Sequence, residues 1–273
     1  MELNICLIHY NSTDTLPCLK SLAAQTVQAQ VILVNNASTD DSMQAIRTFA
    51  ASSSLPIQIL DAPSNGGFAT GNNLALRWAH QHTPNAWNLL LNNDTLLPED
   101  FLEKFTAVAE QLSRESNVPF ALSASEYDYF QSHQRHSGMQ FLSIPTGLTF
   151  YTPGLLRTPY LCGACLLLDP KAPLLDEGYF LYYEDADYAK RLQAAGYRLL
   201  TTDETRYYHK TGATTALNPN ILSIQMTSMW RYYKLHYPQW IQTVKRLRIL
   251  EYFLLGRKNV VSIINQTYHQ AHA

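Results

Sequence analysis

The stretch WNLLLNND, residues 87–94, decides the fold. Its apolar run has the length of a buried strand, and it ends abruptly in three polar side chains, Asn92, Asn93 and Asp94. A stretch of helical character follows from Pro98 to Leu112. A strand followed by a helix is the unit of a parallel α/β sheet, which binds its ligands where its strands end.

The same unit occurs three times before this stretch, with a polar cluster at the end of each strand. The predicted strands are LNICLIHY (3–10), VILVNN (31–36) and PIQILDA (56–62), and the helices that follow them extend to Gln25, from Asp40 to Ala51 and from Gly71 to His82. Right-handed crossovers place the carboxyl ends of such strands along one edge. The sequence therefore predicts an α/β fold with a mostly parallel sheet and flanking helices.

The second half of the chain is less regular. Residues 117–159 are rich in Ser, Pro, Gly and aromatic residues, which predicts strands or loops over the cleft rather than another strand–helix unit. The run YLCGACLLLD (160–169) is typical of a buried strand, and YYEDADYAKRLQAAGY (182–197) of a helix that Gly196 ends. RLLTT (198–202) is the last predicted strand.

Composition limits the class of protein. The 273 residues are 46% hydrophobic and carry a net charge of -2, so the chain has no basic field for a nucleic-acid partner. The N-terminus lacks the form of a secretory signal, and no apolar run approaches the roughly 20 residues of a membrane span. Four cysteines are too few for a disulfide framework, and the pair Cys162 and Cys165 is more typical of a core than of a zinc or redox site. These features favour a cytoplasmic location.

The residues after Ser223 form a basic segment with many aromatic side chains. Two interpretations have equal weight. Basic and aromatic residues on amphipathic helices suit peripheral contact with the inner face of the plasma membrane. A helical cap with a solvated basic face would show the same pattern.

Seven motifs together resemble those of inverting family 2 glycosyltransferases, and most of all their rhamnosyltransferase-like members. In order they are IHYNS (8–12), VNNASTD (34–40), NGGFATGNN (65–73), LLNNDTLLPEDFL (90–102), CGACLLL (162–168), YYEDADYAKRLQAAGY (182–197) and YHKTGAT (208–214). The resemblance covers residues 3 to about 240 and implies a GT-A-like fold, a nucleotide-sugar donor and a divalent metal. It also implies a catalytic domain at 1–215, with a donor-binding half at 1–95 and an acceptor half at 96–215, before a helical tail at 216–273.

The resemblance implies one metal site, with ligands from two distant segments of the sequence. Asn92-Asn93-Asp94 stands where the family has its DxD motif, so Asp94 is expected to bind Mn or Mg, while Asn92 and Asn93 contact the donor. His209 matches the late histidine that completes the site, and an imidazole ligand favours Mn. Lys210, Thr211 and Thr214 follow it and are candidate phosphate contacts.

The acidic cluster at 184–187 matches the family's catalytic motif. By that match Asp185 is the general base that takes the acceptor proton, with Glu184 and Asp187 as further catalytic candidates. Three acids in four positions repel one another unless a cation or a raised pKa relieves them, which favours a functional role over simple stabilisation of the helix.

The remaining candidates for donor binding come from the loops after the first three strands. They are Tyr10, Asn11, Asn35, Ser38, Asn65, Gly67 and Asn72. Asn35 stands where the family usually has an aspartate that recognises the base, and its amide can still pair with a pyrimidine. Gly67 would let the backbone approach the nucleotide.

The sequence thus predicts a glycosyltransferase of the hexosyltransferase type. The expected donor is a nucleoside-diphosphate sugar, such as dTDP-rhamnose or a UDP-sugar, and the expected acceptor a cell-surface polysaccharide or lipid-linked glycan. Two alternatives stay open, an inactive sugar-nucleotide-binding relative and a sugar nucleotidyltransferase. A glycoside hydrolase would also use two carboxylates, but it needs neither the Asn-rich loops nor a metal motif.

Overall fold

The structure, a computed structural model, describes residues 1–131, 135–136, 138–210 and 220–272. Within these ranges the strands are β1 Leu3–His9, β2 Gln30–Asn35, β3 Ile57–Asp61, β4 Trp87–Asn92, β5 Thr95–Leu96, β6 Phe120–Asp128, β7 Arg135–His136, β8 Met139–Ser143, β9 Thr149–Phe150, β10 Arg157–Leu161, β11 Cys165–Leu168 and β12 Arg198–His209. The α-helices are α1 Thr15–Ala23, α2 Ser42–Ser52, α3 Gly67–His82, α4 Phe101–Glu115, α5 Glu184–Ala194, α6 Ile221–His236, α7 Ile241–Leu254 and α8 Lys258–His272.

The main sheet has the strand order β3-β2-β1-β4-β11-β6-β12-β5, with β7 paired to β6. Strands β1 to β4 are parallel, and so are β6 and β12, while β11 runs antiparallel to both β4 and β6. A smaller antiparallel sheet contains β10, β8 and β9. The predicted α/β class with a mostly parallel sheet is confirmed.

Both faces of the sheet are covered, which explains why its central strands read as continuous apolar runs. Along β1, Ile5 and Leu7 pack into a cluster with Leu19 of α1 and Phe105 of α4. Cys6, between them, points into the opposite cluster with residues of α3 and α5. Because the two layers cover both faces of the sheet, a ligand is expected to bind at the carboxyl ends of its strands.

The interpretation of 117–159 as strands or loops over the cleft is wrong for its first part. Residues 120–128 form β6, a nine-residue strand in the middle of the main sheet, between β11 and β12. Its sequence, FALSASEYD, is rich in Ala and Ser, which have weak strand preference, so local pattern did not reveal it.

Two other elements differ from the predicted ones. Cys162 and Cys165 do not lie within one strand, because β10 ends at Leu161 and β11 begins at Cys165. The last strand continues beyond RLLTT to His209, with an irregularity in its register between Thr202 and Arg206. Burial raises the pKa of both thiols, in agreement with unreactive cysteines.

The tail is helical, as predicted, and its aromatic residues are largely internal. Trp230, Tyr232 and Tyr233 of α6 are fully buried in a cluster with residues of α5, α7 and α8. This packing matches the helical-cap interpretation for α6. Among the described residues, no helix is both long and apolar enough to cross a membrane. The predicted boundary at 215 lies outside the described residues.

Candidate donor and metal site

The polar ends of the parallel strands meet at one edge of the sheet. His9 at the end of β1 pairs in register with Asn35 of β2, which pairs in turn with Asp61 of β3. On the other side of β1, Ile8 pairs with Asn92 of β4. The predicted convergence of these side chains is therefore present in the structure.

Asn11 ties the loop after β1 to the loop after β2. Its backbone N–H donates to the Ser38 hydroxyl at 3.2 Å, and its amide oxygen accepts from the N–H of Thr39 at 2.8 Å. Asn11 and Ala37 have φ of 43° and 58°, a left-handed conformation that costs free energy in non-glycine residues. Tyr10, next to Asn11, is exposed at this edge.

The Asn35 amide is engaged within the protein. Its nitrogen donates to Asp61 at 2.8 Å, and its oxygen accepts from the N–H of Ser38 at 3.0 Å. Hydrogen bonds from Asn35 and then from Arg47 lower the pKa of Asp61. The Asp61 carboxylate is exposed and lies next to the Asn35 amide, which is expected to contact the base of the donor.

The glycine-rich segment is held in place by two asparagines. The buried Asn36 amide donates to Oδ1 of Asn65 at 2.9 Å, and the same Oδ1 accepts from the N–H of Gly67 at 3.0 Å. Gly67 has φ of 78°, and a side chain there would collide with the backbone of Phe180. Asn72 is buried and donates to the carbonyl of Phe68 at 3.1 Å, so both Asn65 and Asn72 make structural contacts here. Their contact with a donor stays a prediction.

Asn93 belongs to a network around the buried His9. The Asn93 amide donates to the Thr15 hydroxyl at 2.8 Å, which also contacts Nδ1 of His9 at 2.7 Å. Nε2 of His9 contacts the Ser42 hydroxyl at 2.8 Å. The network fixes the turn at 92–94 against the first turns of α1 and α2.

The structure brings Asp94 and His209 together, although 115 positions separate them in the sequence. Nε2 of His209 lies 3.2 Å from Oδ1 of Asp94 and 3.3 Å from the Asn92 amide nitrogen. Within the described residues, this Oδ1 is buried without a hydrogen-bond partner. The register explains the proximity, because His209 pairs with Thr95 immediately after the turn.

These two side chains fit a divalent metal. An unpartnered buried carboxylate oxygen and an imidazole nitrogen face each other, and both are ligands of Mn. Two ligands at adjacent corners of an octahedron with bonds of about 2.1 Å are about 3 Å apart, close to the separation observed here. No group of three or more His, Cys, Asp or Glu side chains that could hold a metal occurs in the described part of the chain. A metal here would need further ligands, which diphosphate oxygens can supply.

Glu126 is a residue of this site that the sequence analysis missed. Its Oε1 lies 2.8 Å from Nδ1 of His209, and both side chains are buried. Burial lowers the pKa of His209, but Asp94 and Glu126 outweigh it and raise the pKa to about 10. The only available signal was a pair of acids, Glu126 and Asp128, at the end of the FALSASEYD run, and nothing in the sequence connected Glu126 with His209.

Lys210 lies beside the metal pair and is already ion-paired. Its Nζ is 2.6 Å from Oδ1 of Asp14, and its backbone N–H donates to the carbonyl of Asp94. A phosphate contact by Lys210 would compete with this pair. The other two candidates for phosphate contact, Thr211 and Thr214, lie outside the described residues.

The acidic helix α5 begins at the same side of the molecule, after two strained residues. Tyr182 and Tyr183 both have positive φ, 68° and 63°, immediately before Glu184. A side chain added at Gly163 would lie 3.8 Å from Cβ of Asp185. The charges of Asp185 and Glu126 both raise the pKa of Cys162, so the turn between β10 and β11 lies between the predicted base and the metal pair.

Glu184 and Asp185 share a poorly solvated environment. Burial raises the pKa of both carboxyls, and the charge of Asp185 raises that of Glu184 further. Oε2 of Glu184 is buried without a hydrogen-bond partner among the described residues. One proton on Glu184 relieves the repulsion, which leaves Asp185 as the ionised, partly accessible member of the pair.

Asp187 points in another direction. Its Oδ1 accepts from Nε2 of His236 at 2.7 Å, and the carboxylate is almost fully buried between α5 and α6. Arg191, one turn along α5, lies 3.7 Å from Oδ2. These contacts indicate that Asp187 attaches the tail to α5, and a direct role in catalysis stays a prediction.

A layered sheet with a polar carboxyl edge, at which Asp94 and His209 face each other, together with an acidic helix, agrees with the architecture of the GT-A glycosyltransferases. Residues 4–172 match Glycosyl transferase family 2, and the chain belongs to this family. Membership of glycosyl transferase family 2 is thereby confirmed, and solved structures confirm the predicted GT-A-like fold. The inverting mechanism and the rhamnosyltransferase-like specificity stay predictions.

Individual relatives are distant. A curated relative is the low-salt glycan biosynthesis hexosyltransferase Agl10 of Haloferax volcanii, 23% identical over 198 residues, which are 70% of this chain and 61% of that protein. The chain therefore spans less than two thirds of the length of this relative.

Two solved structures share the fold. One is S. aureus TarS 1–349 in complex with UDP, with 15% identity, a TM-score of 0.57 and coverage of 92% of this chain and 72% of that one. The other is the mannosyltransferase PcManGT from Pyrobaculum calidifontis in complex with GDP-Man and Mn2+, with 15% identity, a TM-score of 0.59 and coverage of 99% and 75%.

Proposed function

We propose that the chain is a metal-dependent glycosyltransferase that moves a hexose-type sugar from a nucleoside-diphosphate sugar to an acceptor hydroxyl, with inversion at the anomeric carbon. The observation that carries the proposal is the pair of Asp94 and His209. It stands at the carboxyl edge of the sheet in a chain of glycosyl transferase family 2. Oδ1 of Asp94 is buried there with no hydrogen-bond partner among the described residues besides its 3.2 Å contact with Nε2 of His209.

Asp94 and His209 hold Mn or Mg in this proposal, and Mn is favoured because an imidazole is one of its ligands. A metal held there would neutralise charge on the departing diphosphate. The contribution of the protein's own side chains is to hold the site in position. Thr15 holds Asn93, and Glu126 holds His209, so the turn and the imidazole are fixed before the donor binds.

Asp185 acts as general base on the acceptor hydroxyl. Its carboxylate is ionised next to a protonated Glu184, and the N–H of Ala186 donates to it at 2.8 Å. A single displacement would follow, in which the activated hydroxyl attacks the anomeric carbon as the diphosphate leaves. Glu184 supports the base or binds a second acceptor hydroxyl.

Donor and acceptor are proposed as classes. A pyrimidine nucleotide, as in dTDP-rhamnose or a UDP-sugar, remains the preferred donor because Asn35 and Asp61 offer complementary polar groups at the base position. Tyr10, Asn11, Ser38, Asn65, Gly67 and Asn72 are proposed to complete the donor site. The acceptor is a cell-surface polysaccharide or a lipid-linked glycan at the inner face of the plasma membrane.

The proposed domain division is unchanged, with a catalytic domain at 1–215 and a tail at 216–273. The tail makes peripheral contact with the membrane that carries the acceptor.

Release of nucleoside diphosphate from a panel of UDP-, dTDP- and GDP-sugars, with Mn or with chelator, tests the proposal. We expect one donor class to be consumed only with metal, and Asp94→Ala to abolish both consumption and donor-dependent metal binding. Glu115→Ala removes an exposed carboxylate of α4 and serves as the control. Full activity of Asp94→Ala in chelator would exclude the metal assignment.

A further inference from the structure

Helix α7 has an apolar face that the rest of the chain does not cover. Its inner face is formed by Ile241, Val244 and Arg248, all buried. On the outer face the exposed fractions are 52% for Leu250, 61% for Phe253 and 75% for Leu254. Leu247 and Leu255 are exposed as well. At 3.6 residues per turn, the exposed residues from Arg246 to Leu254 occupy an arc of about 120°, one continuous stripe. The α7 ridge is defined as Leu247, Leu250, Phe253 and Leu254 of α7 together with Leu255, which follows the helix directly.

An exposed stripe of this kind needs an explanation. Single apolar side chains are common on protein surfaces, but five large ones within nine positions form a contiguous patch of the type that marks an interface. The ridge lies at the C-terminal end of α7, where the chain turns towards α8, and its side chains are exposed.

The charge around the ridge has one sign. Exposed Arg246 precedes it, and exposed Arg257 follows it. Between residues 205 and 273 the sequence contains a single acid, Glu251. That carboxylate is bonded to the buried Arg248 at 2.8 Å, so it does not offset the exposed arginines.

We infer that the α7 ridge inserts into the surface of an anionic lipid bilayer. The inference deepens the proposed function, because it rests on a membrane-bound acceptor and assigns the contact to particular residues. Leucine and phenylalanine enter the boundary between headgroups and acyl chains, while Arg246 and Arg257 pair with lipid phosphates. Of the tail aromatics that suggested membrane contact from the sequence, Trp230, Tyr232 and Tyr233 are buried and are not the contact, whereas Phe253 belongs to the ridge.

A second copy of the chain fits the ridge less well. A two-fold interface places the same patch on both partners, so the arginines of one copy would approach those of the other without an acidic residue between them. Anionic lipid complements both the apolar stripe and its arginines.

Co-sedimentation with vesicles tests the inference. The full-length chain should bind vesicles that contain phosphatidylglycerol, bind phosphatidylcholine vesicles less, and lose affinity as salt rises. Phe253→Ser with Leu254→Ser should reduce binding about tenfold or more for each side chain removed. Arg246→Gln with Arg257→Gln should abolish the preference for anionic lipid. Val118→Ser, which also removes an exposed apolar side chain but lies between α4 and β6, is the control and should bind as the parent does.

The ridge variants should still consume donor in solution, which separates this inference from the proposed function. Binding that survives in the Phe253/Leu254 variant would overturn the assignment to the ridge. So would a lack of vesicle binding by the parent chain at low salt. A concentration-dependent dimer that the ridge variants dissociate would show instead that the ridge is a self-interface.

Discussion

Oε1 of Glu126 lies 2.8 Å from Nδ1 of His209, and the imidazole directs its other nitrogen towards Asp94. The Asn92 amide donates to that second nitrogen when the ring is neutral. Glu126 therefore holds a proton on Nδ1, so a metal ion that displaces the proton from Nε2 would bind through the lone pair of that nitrogen. Carboxylates in this position orient metal-binding histidines and increase their basicity.

Glu126→Gln should weaken metal binding without removing a metal ligand. The amide keeps the size of the side chain but loses the charge, and changes of this kind typically cost about 10–100-fold in metal affinity. Titration of Mn by calorimetry with nucleoside diphosphate present measures the effect. Glu115→Gln, at an exposed position of α4, is the control. Unchanged Mn affinity in Glu126→Gln would show that His209 is oriented by other contacts.

The acid limb of the pH–rate profile should belong to Asp185. Burial raises its pKa, so the limb should lie above the range of about 4 that is usual for a carboxyl. Below this pKa the base is protonated, and kcat/KM should fall about tenfold per pH unit. Besides Glu184, the groups that lie close enough for burial and the charge of Asp185 to raise their pKa are Tyr160, Tyr183 and Cys162.

Glu184→Gln distinguishes the two acids by pH. If Glu184 holds the shared proton, glutamine imitates its protonated form, and the acid limb should stay in place with a modest loss of rate. Loss of the limb in Glu184→Gln, with its retention in Asp185→Asn, would reverse the assignment.

Asp187→Ala should affect stability more than substrate chemistry. The change leaves His236 and Arg191 without their carboxylate at the junction of α5 and α6, which should cost about 1–3 kcal/mol of the free energy of unfolding. Urea unfolding measures the loss, and Glu115→Ala, at an exposed position of α4, should change stability by less than about 0.5 kcal/mol. A stable Asp187→Ala protein without turnover would make Asp187 a catalytic residue after all.

The sequence predicted what local pattern can specify. The first four strands and their helices follow from short apolar runs and polar strand ends, and the order of the motifs identified Asp94 and His209 before the fold showed them 3.2 Å apart. Contacts between distant segments could not be predicted. Glu126 lies in a strand without a strong strand pattern, and Asp187 meets its partner His236 across 49 positions. The sequence also did not reveal which face of α7 is exposed, because apolar side chains occur on both its inner and its outer face.

Turnover by Asp185→Asn tests the central claim most directly, since asparagine keeps the size of the side chain and removes only its basicity. With the donor found in the nucleotide-sugar panel, saturating Mn and a glycan acceptor, we predict a fall in kcat of about 10² or more, while donor and metal affinity persist. Near-normal turnover by Asp185→Asn, with Glu184 or Asp187 indispensable instead, would contradict the account.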